Sequence, residues 1–213
     1  MFKPRRKGNE INDGIDSAFF FPPYILDLLD TAEVQRTHNI TQNGFSSVSF
    51  PNLRHSRKVH LIGTTKNALK MWGWAHKSGN VKLDHDSYEA VIASAAMLHD
   101  IGHAPFSHNL ENLINAYHKE THEQVAARIA AGEYSLQEFF RDKIPDGIIP
   151  QKQRDAILRR LEKVPSVKEV LEAHSVNPEE VAQIIDKTRA SIHGDKIQKR
   201  LFLREFIDGK IID

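Results

Sequence analysis

The segment MLHDIGHAPFSH, residues 97–108, places three histidines and one aspartate within ten positions. It overlaps the end of YEAVIASAAML, residues 88–98, a predicted helix that is apolar on most of its faces. Such a helix is buried, and Gly102 indicates that it ends near the pair His99-Asp100. An imidazole and a carboxylate at the end of a buried helix need polar partners. The segment therefore predicts either a polar helix cap or a metal site.

The two alternatives for His99 and Asp100 differ in what the pair contacts. In a cap, a cationic His99 would interact favourably with the helix C-terminus while Asp100 paired with an arginine. In a metal site, the nitrogen and oxygen ligands would suit Mn, Fe, Co, Ni, Zn or, less strongly, Mg. Two ligands do not hold a catalytic metal, so a second imidazole and a further carboxylate are required. His55, near the start of the preceding predicted helix, is the candidate for that imidazole.

The composition is that of an ordinary globular chain of 213 residues, 40% hydrophobic and 27% charged. A net charge of +1 gives no electrostatic argument for binding nucleic acid or a membrane surface. The absence of cysteine excludes disulfides and thiolate catalysis, and it is typical of a cytoplasmic protein. No apolar run reaches the length that a membrane-spanning helix needs. We therefore expect a cytoplasmic protein without a membrane partner.

The hydrophobic periodicity predicts an all-α, mainly helical fold. Predicted helices cover Leu53 to about Trp74, 87–98, about 107–116 and Thr121 to Ala131, followed by amphipathic segments up to residue 189. The weak alternation around Asn-Gly in TQNGFSSVSFPN predicts a minor β-hairpin near residues 41–50 or, alternatively, an extended loop. Residues 1–14 are polar and are expected to be a loose N-terminal segment, although Ile11 could add a short strand. Residues 15–213 are expected to form one domain.

The segment LHDIGHAPFSH and the upstream FPNLRHS resemble the HD-domain metal-dependent phosphohydrolases, and most closely their deoxynucleoside triphosphate triphosphohydrolase branch. The resemblance extends to LLDTAEVQRTHNITQNGFSSVSFPNLRHS and YHKETHEQVAARI, and it covers roughly residues 12–213. It implies an HD domain over residues 15–213, a divalent metal ion as cofactor and a nucleotide as substrate.

The resemblance also implies a role for individual residues. Three metal ligands match the family pattern: His55, His99 and Asp100. His103 and His122 match histidines that line the reaction centre and could donate a proton or position the attacking water. Further positions match an acid that partners such a histidine, a contact to the sugar, and a histidine with a direct or a supporting role: Glu111, Gln42 and His108.

The phosphate-binding part of the family pattern differs in this chain. Family members usually carry an arginine three residues before the first histidine, and here that position is Asn52. Arg54 directly precedes His55 and is a candidate to replace it, as are Arg57 and Lys58. We therefore expect Gln42, Asn52 and Arg54 to contact the substrate.

The last metal ligand of the family lies in a segment that would only be starting where this chain ends, in LREFIDGKIID. Asp213 is the first candidate for this carboxylate. Alternatively the true ligand lies beyond residue 213, or it is Asp208 or Asp186. We expect the domain to be truncated before the segment that carries the last ligand.

Three functions are consistent with these residues. The first is metal-dependent hydrolysis of a nucleotide, with release of triphosphate from a deoxynucleoside triphosphate, or the reaction of a phosphomonoesterase or a cyclic-nucleotide phosphodiesterase. The second is a nucleotide-binding sensor module with weak catalysis, which the missing segment and Asn52 favour. The third, nucleic-acid binding, rests on small basic patches such as Lys3 to Lys7 and HSRKVH, residues 55–60, and is the minor alternative. A homo-oligomer is possible because apolar helix faces in an incomplete domain can be covered by another subunit.

Overall fold

A computed structural model of the chain describes residues 2–12, 18–50, 52–79, 84–107, 119–145 and 147–189. In these residues helices predominate, which confirms the predicted all-α class. A two-stranded antiparallel sheet pairs β1, Asn9–Ile11, with β2, Phe19–Phe21, and aligns Glu10 with Phe20. None of the described helices combines the length and the apolar character that crossing a bilayer requires.

The helices follow in chain order after the sheet. The first half contains α1 (Pro23–Leu29), α2 (Ala32–Gln35), a 3-10 turn (Arg36–Asn39), α3 (Ser46–Ser49), α4 (Arg57–Lys77) and α5 (His85–Leu98). The second half contains α6 (His122–Ala131), α7 (Leu136–Glu138), a π-helical turn (Phe139–Lys143), α8 (Gln151–Leu161), α9 (Val167–Ala173) and α10 (Pro178–Ile185).

Helix α5 is the centre of the core. It packs against α4 on one side and against α1, α6 and α10 on others, so side chains from Val91 to Leu98 are buried. Small residues allow this close packing, because Ala93, Ala95 and Ala96 let neighbouring helices approach. Asp84 caps the N-terminus of the helix, because its carboxylate accepts a hydrogen bond from the Ser87 amide. Because its C-terminal end is buried, His99 and Asp100 follow it inside the protein.

Helix α6 begins at a capping box that the sequence TxxQ encodes. The Thr121 hydroxyl accepts from the Gln124 amide, and the Gln124 side chain accepts from the Thr121 amide. Helix α10 packs against α6 and begins with Asn177 as the cap and Pro178 in the first turn. Because α10 also packs against α5, it holds α6 beside α5.

The predicted β-hairpin near residues 41–50 is wrong. The chain turns at Gly44, which has φ of 49°, and then forms the helical turn α3, closed by a hydrogen bond from the Phe50 amide to the Ser46 carbonyl. Thr41 makes an isolated bridge to Ser56. The alternation of Phe45, Val48 and Phe50 misled the prediction, because these side chains are exposed rather than turned onto a core.

The N-terminal segment is more ordered than we expected. Residues 9–11 form β1, and the Arg5 guanidinium donates a 2.8 Å hydrogen bond to the buried carboxylate of Asp27. His174 contacts the same carboxylate, with 2.7 Å between its Nε2 and Oδ2 of Asp27. The described part of this segment is therefore tied to α1 and to the end of α9.

Candidate metal centre

The buried carboxylate of Asp100 is the centre of the site. Helix α5 ends at Leu98, His99 takes the cap position, and Asp100 follows in a turn with 6% of its surface exposed. An uncompensated carboxylate at this depth would be costly. Four imidazoles and one guanidinium surround it, and they come from α4, from the turn after α5 and from α6.

The first group consists of His60, His99 and Asp100. Nε2 of His60 lies 3.4 Å from Oδ2 of Asp100, and Nε2 of His99 lies 3.5 Å from the same oxygen. The two imidazole rings meet edge to face, with 5.4 Å between their centroids. One potential ligand atom from each residue lies within 4.8 Å of the others, a spacing at which a single ion can be shared.

The second group consists of Asp100, His103 and His122, and it uses the other carboxylate oxygen. Nε2 of His103 lies 3.5 Å from Oδ1 of Asp100, and Nε2 of His122 lies 3.7 Å from it. The two rings are stacked, with centroids 3.8 Å apart. This group also satisfies the spacing for a shared ion.

Two contacts outside the ligand groups set the path of the turn after Asp100. The Arg36 guanidinium donates hydrogen bonds to the carbonyls of Ile101 and His103, the latter at 2.9 Å. Gly102 lies against the first turn of α6, where a Cβ atom would stand only 2.0 Å from the carbonyl oxygen of His122. The sequence therefore needs a glycine at this position so that His122 can approach Asp100.

Arg57, the first residue of α4, forms a buried ion pair with Asp100. Its guanidinium donates to Oδ2, the oxygen that also faces His60 and His99, and a second nitrogen lies 3.4 Å from the Gln42 carbonyl. Arg57 is fully buried. The arginine pair that a helix cap predicts for Asp100 is thus present, beside two groups of side chains that could hold a metal ion.

The environment sets the protonation of the cluster. Burial lowers the pKa of His60 to about 4, and the neighbouring His99 adds to this effect. Burial also lowers the pKa of His103 to about 4, against the opposing effect of Asp100. Burial acts to raise the pKa of Asp100, but His99, His103 and Arg57 together hold it well below its usual value. At neutral pH the site therefore presents neutral imidazoles at His60 and His103 beside an ionised carboxylate at Asp100.

This donor set fits a divalent metal ion. Nδ1 of His99 lies 2.8 Å from the Ala96 carbonyl, which only an N–H at Nδ1 can satisfy, so Nε2 is the ring nitrogen that faces Asp100. A metal ion between this nitrogen and the carboxylate oxygen, which lie 3.5 Å apart, would have one ligand atom from each residue. The described residues thus confirm a site able to hold the predicted metal cofactor, and neutral histidine with carboxylate is a common ligand set for Mn, Fe, Co, Ni or Zn.

Acidification is expected to destabilise the metal-free protein between about pH 6.5 and pH 4. In this window the unfolded chain protonates His60 and His103, whereas the folded chain keeps both neutral, so the free energy of unfolding falls as the pH falls. Urea denaturation with a chelator at several pH values measures this slope. His60→Asn should reduce it, whereas the same change at the exposed His38 should leave it unaltered.

The predicted ligands divide into two sets. His99 and Asp100 lie together in the cluster, and His103 and His122 lie beside them. His55 belongs to neither group. It is exposed, its carbonyl accepts a 3.1 Å hydrogen bond from the Gln42 amide, and it lies near enough to His60 to influence its pKa. The role of His55 as a ligand remains a prediction.

The predicted substrate contacts lie at the edge of the cluster or outside it. Gln42 is partly buried, and its Oε1 has no hydrogen-bond donor among the described residues. Asn52 and Arg54 are exposed in the segment before α4. Their roles in substrate binding remain predictions.

The remaining candidates are Asp186 and four residues that lie outside the described ranges. Asp186 follows α10 and accepts hydrogen bonds from the amide and the hydroxyl of Thr188, at 2.8 Å and 2.7 Å, and it belongs to neither ligand group. The residues that the described ranges do not include are Glu111, His108, Asp208 and Asp213.

His60 is the functional residue that the sequence interpretation missed. HSRKVH was interpreted as a small basic patch, although Arg57 and His60 are three residues apart and share one face of α4. Because α4 packs along α5, this face meets the end of α5 at Asp100. The spacing of three residues between Arg57 and His60 was the feature of the sequence that could have identified His60.

Comparison with known proteins identifies relatives of this chain. The HD domain family matches residues 57–193, which is more than half of the chain. A deoxynucleoside triphosphate triphosphohydrolase SAMHD1 homolog of Dictyostelium discoideum is 32% identical over 120 residues, or 54% of this chain and 22% of that protein. The uncharacterized protein YwfO of Bacillus subtilis is 33% identical over 135 residues, or 63% of this chain and 29% of that protein.

The human deoxynucleoside triphosphate triphosphohydrolase SAMHD1 is 31% identical over 121 residues, or 54% of this chain and 19% of that protein. The chain thus spans less than a third of the length of these relatives. The matched region of the family includes α4, α5, α6 and α10, which carry or support the cluster around Asp100.

Proposed function

Because the chain belongs to the HD domain family, we propose that it hydrolyses a nucleotide in a metal-dependent reaction, with a deoxynucleoside triphosphate as the substrate. The membership confirms the predicted family, and the metal-dependent hydrolysis typical of that family supports the activity proposed for this chain. The nucleotide substrate is supported by relatives that are named deoxynucleoside triphosphate triphosphohydrolases, at 31% to 32% identity over about half of this chain.

The observation that carries this proposal is the convergence of four imidazoles on one buried carboxylate. A structural ion pair would need Arg57 and Asp100 alone, and it would gain nothing from bringing His60, His99, His103 and His122 to the same oxygens. Clusters of titratable groups with strongly shifted pKa values are typical of active sites. The arrangement therefore supports a reaction centre rather than a helix cap.

His60, His99 and Asp100 would hold the metal ion. When bound, a divalent ion lowers the pKa of a coordinated water and stabilises charge on phosphoryl oxygens. Burial prepares His60 for this role, because it keeps the imidazole in the neutral form that binds metal. The Ala96 carbonyl fixes the orientation of the His99 ring.

His103 and His122 would act in proton transfer. His103 is 2% exposed and is held against Oδ1 of Asp100, whereas the His122 side chain is 15% exposed and stacks on His103. A neutral imidazole at the open side of the cluster can accept a proton from water or, once protonated, donate it to the leaving oxygen. The more exposed His122 is the better placed of the two to meet the substrate.

The test is turnover by the purified chain with Mn²⁺ or Co²⁺. We expect each deoxynucleoside triphosphate to yield a deoxynucleoside and inorganic triphosphate, separated by chromatography. Parallel assays with a nitrophenyl phosphate and a bis-nitrophenyl phosphate distinguish the phosphomonoesterase and phosphodiesterase alternatives. Hydrolysis of these esters without release of triphosphate would contradict the proposed substrate.

A catalytically weak nucleotide-binding sensor is the second candidate, and the Arg57–Asp100 ion pair favours it. The guanidinium contacts the same Oδ2 that the proposed metal would need, so it can neutralise the carboxylate without an ion. In that case a nucleotide should bind to the chain at saturating Mn²⁺ or Co²⁺ without yielding products.

The two histidines of the HSRKVH segment should differ in their effect on metal affinity. We expect His60→Ala to weaken Mn²⁺ binding by about 100-fold, since it removes a nitrogen that faces Asp100 directly. His55→Ala tests the ligand implied by the family resemblance, and the exposed His38→Ala is the control. Isothermal titration of the metal-free variants measures the affinities. A large loss in His55→Ala with none in His60→Ala would show that the family ligand holds the ion.

Several further assignments belong to this proposal. A cytoplasmic location and a homo-oligomeric state are proposed from the composition and the apolar helix faces. Glu111 is proposed to orient one of the catalytic histidines, and Asp213 to complete the metal site. Gln42, Asn52 and Arg54 are proposed to contact the substrate, and nucleic-acid binding stays the minor alternative.

A further inference from the structure

A cavity that shares no residue with the two ligand groups lies beside Glu33. Its volume is about 310 Å³, which is at the lower end of the range for small-molecule pockets. It is formed between the start of α2, the C-terminal end of α6, α7 and the start of α9. Its wall includes Glu33, Tyr134, Glu138, Arg141, Lys168 and Glu169.

Glu33 is the unusual residue in this wall. It is 3% exposed, and its Oε1 accepts a hydrogen bond from the Leu136 amide at 3.2 Å. Oε2 is also buried, and among the described residues no donor lies within hydrogen-bonding distance of it. A buried carboxylate with one unsatisfied oxygen is costly unless it is protonated or meets a cation.

Arg36 is not the hydrogen-bond partner of Oε2 of Glu33. Arg36 affects Glu33 electrostatically, but the hydrogen bonds of its guanidinium go to the carbonyls of Ile101 and His103. Burial raises the pKa of Glu33, and the backbone amides of Glu33 and Leu136 oppose this only in part. A positively charged donor at Oε2 would therefore stabilise the ionised carboxylate and satisfy the oxygen that has no hydrogen-bond partner among the described residues.

The wall carries three carboxylates, Glu33, Glu138 and Glu169, and two cationic side chains, Arg141 and Lys168, so its charge favours a small organic cation over an anion. Lys168 lies over Gly132 and points its ammonium towards Glu172, with 3.9 Å between Nζ and Oε1. Glu138 and Glu169 add negative charge at the mouth, and the Tyr134 ring offers an aromatic face of the kind that attracts ammonium and guanidinium groups.

We propose that this cavity is a binding site for a small alkylammonium or alkylguanidinium ion, with Glu33 as its anionic partner. The site is separate from the metal centre, because none of the residues in its wall belongs to either ligand group. It does not depend on the proposed hydrolysis, and it should bind its ligand when the metal has been removed.

The test is a titration of the full chain, kept metal-free with a chelator, with butylammonium and butylguanidinium, followed by ¹⁵N–¹H spectra. We expect saturable shifts centred on the amide of Leu136, which contacts Glu33, and no such shifts with 1-butanol. Glu33→Gln keeps an acceptor for that amide and removes the charge, so it should weaken binding by about tenfold or more. Glu10→Gln, on the exposed strand β1, is the matched control.

A second variant keeps the test decisive if Glu33→Gln does not fold. Glu138→Lys places a competing ammonium at the exposed mouth of the cavity and should also abolish binding. Two results would overturn the proposal: no saturable shift with either cation, or equal affinities in wild type and Glu33→Gln. Either result would mean that Glu33 is simply a protonated acid buried beneath α7.

Discussion

Asp100→Asn is expected to raise the dissociation constant for Mn²⁺ by at least about 100-fold. Both ligand groups share this one carboxylate, so a single change removes the negative charge from each of them. Asparagine has nearly the same size and retains one acceptor oxygen, which separates the loss of charge from a loss of packing. Metal analysis after reconstitution and isothermal titration measure the effect, and hydrolysis should disappear with the metal.

The same variant should also be less stable without metal. Arg57 is fully buried and would lose its anionic partner, a change that typically costs about 3 kcal/mol of unfolding free energy. Urea denaturation in the presence of a chelator measures this cost. The exposed Asp142 provides a control, since Asp142→Asn should alter neither metal content nor stability. Normal metal stoichiometry in Asp100→Asn would place the ion elsewhere in the chain.

Gly102→Ala is expected to lower the unfolding free energy by about 2 to 3 kcal/mol and to disrupt the reaction centre. The added Cβ would stand 2.0 Å from the His122 carbonyl oxygen and 2.9 Å from the Ala126 amide nitrogen. Both are backbone atoms of α6, so no side chain can rotate away to relieve the contact. The start of α6 must shift, and His122 moves away from Asp100 with it. Thermal or urea denaturation and turnover measure the two effects.

Gly63→Ala is the matched control for this substitution. Gly63 lies within α4, and a Cβ atom there would meet nothing within 4 Å. Alanine is the better helix former, so this variant should be as stable as the wild type or more stable by up to about 1 kcal/mol. A Gly102→Ala protein with unchanged stability and activity would contradict the close contact between the turn and α6.

The helical elements were largely predictable because their signals are local. Thr121 and Gln124 encode the cap of α6, and Asn177 with Pro178 encodes the start of α10. The segment at residues 41–50 was not predictable in this way. Its apolar residues alternate as in a strand, but a strand needs a hydrogen-bonded partner strand. In the described residues the two paired strands are β1 and β2, whereas residues 46–49 form α3.

The amino-acid sequence determined the chemistry at the end of α5: a buried helix of small residues, followed by His99 and Asp100, predicts a polar centre wherever that helix packs. The packing of α4 along α5 brought His60 and Arg57 to Asp100 and left His55 at the surface. The packing of Gly102 against α6 brought His122 to the same carboxylate. Spacing in the sequence indicated that Arg57 and His60 share a face of α4, but it could not show that this face and His122 meet Asp100, because that depends on how two helices are placed around a third. Local propensity specifies each helix, whereas burial of their apolar faces specifies which side chains meet.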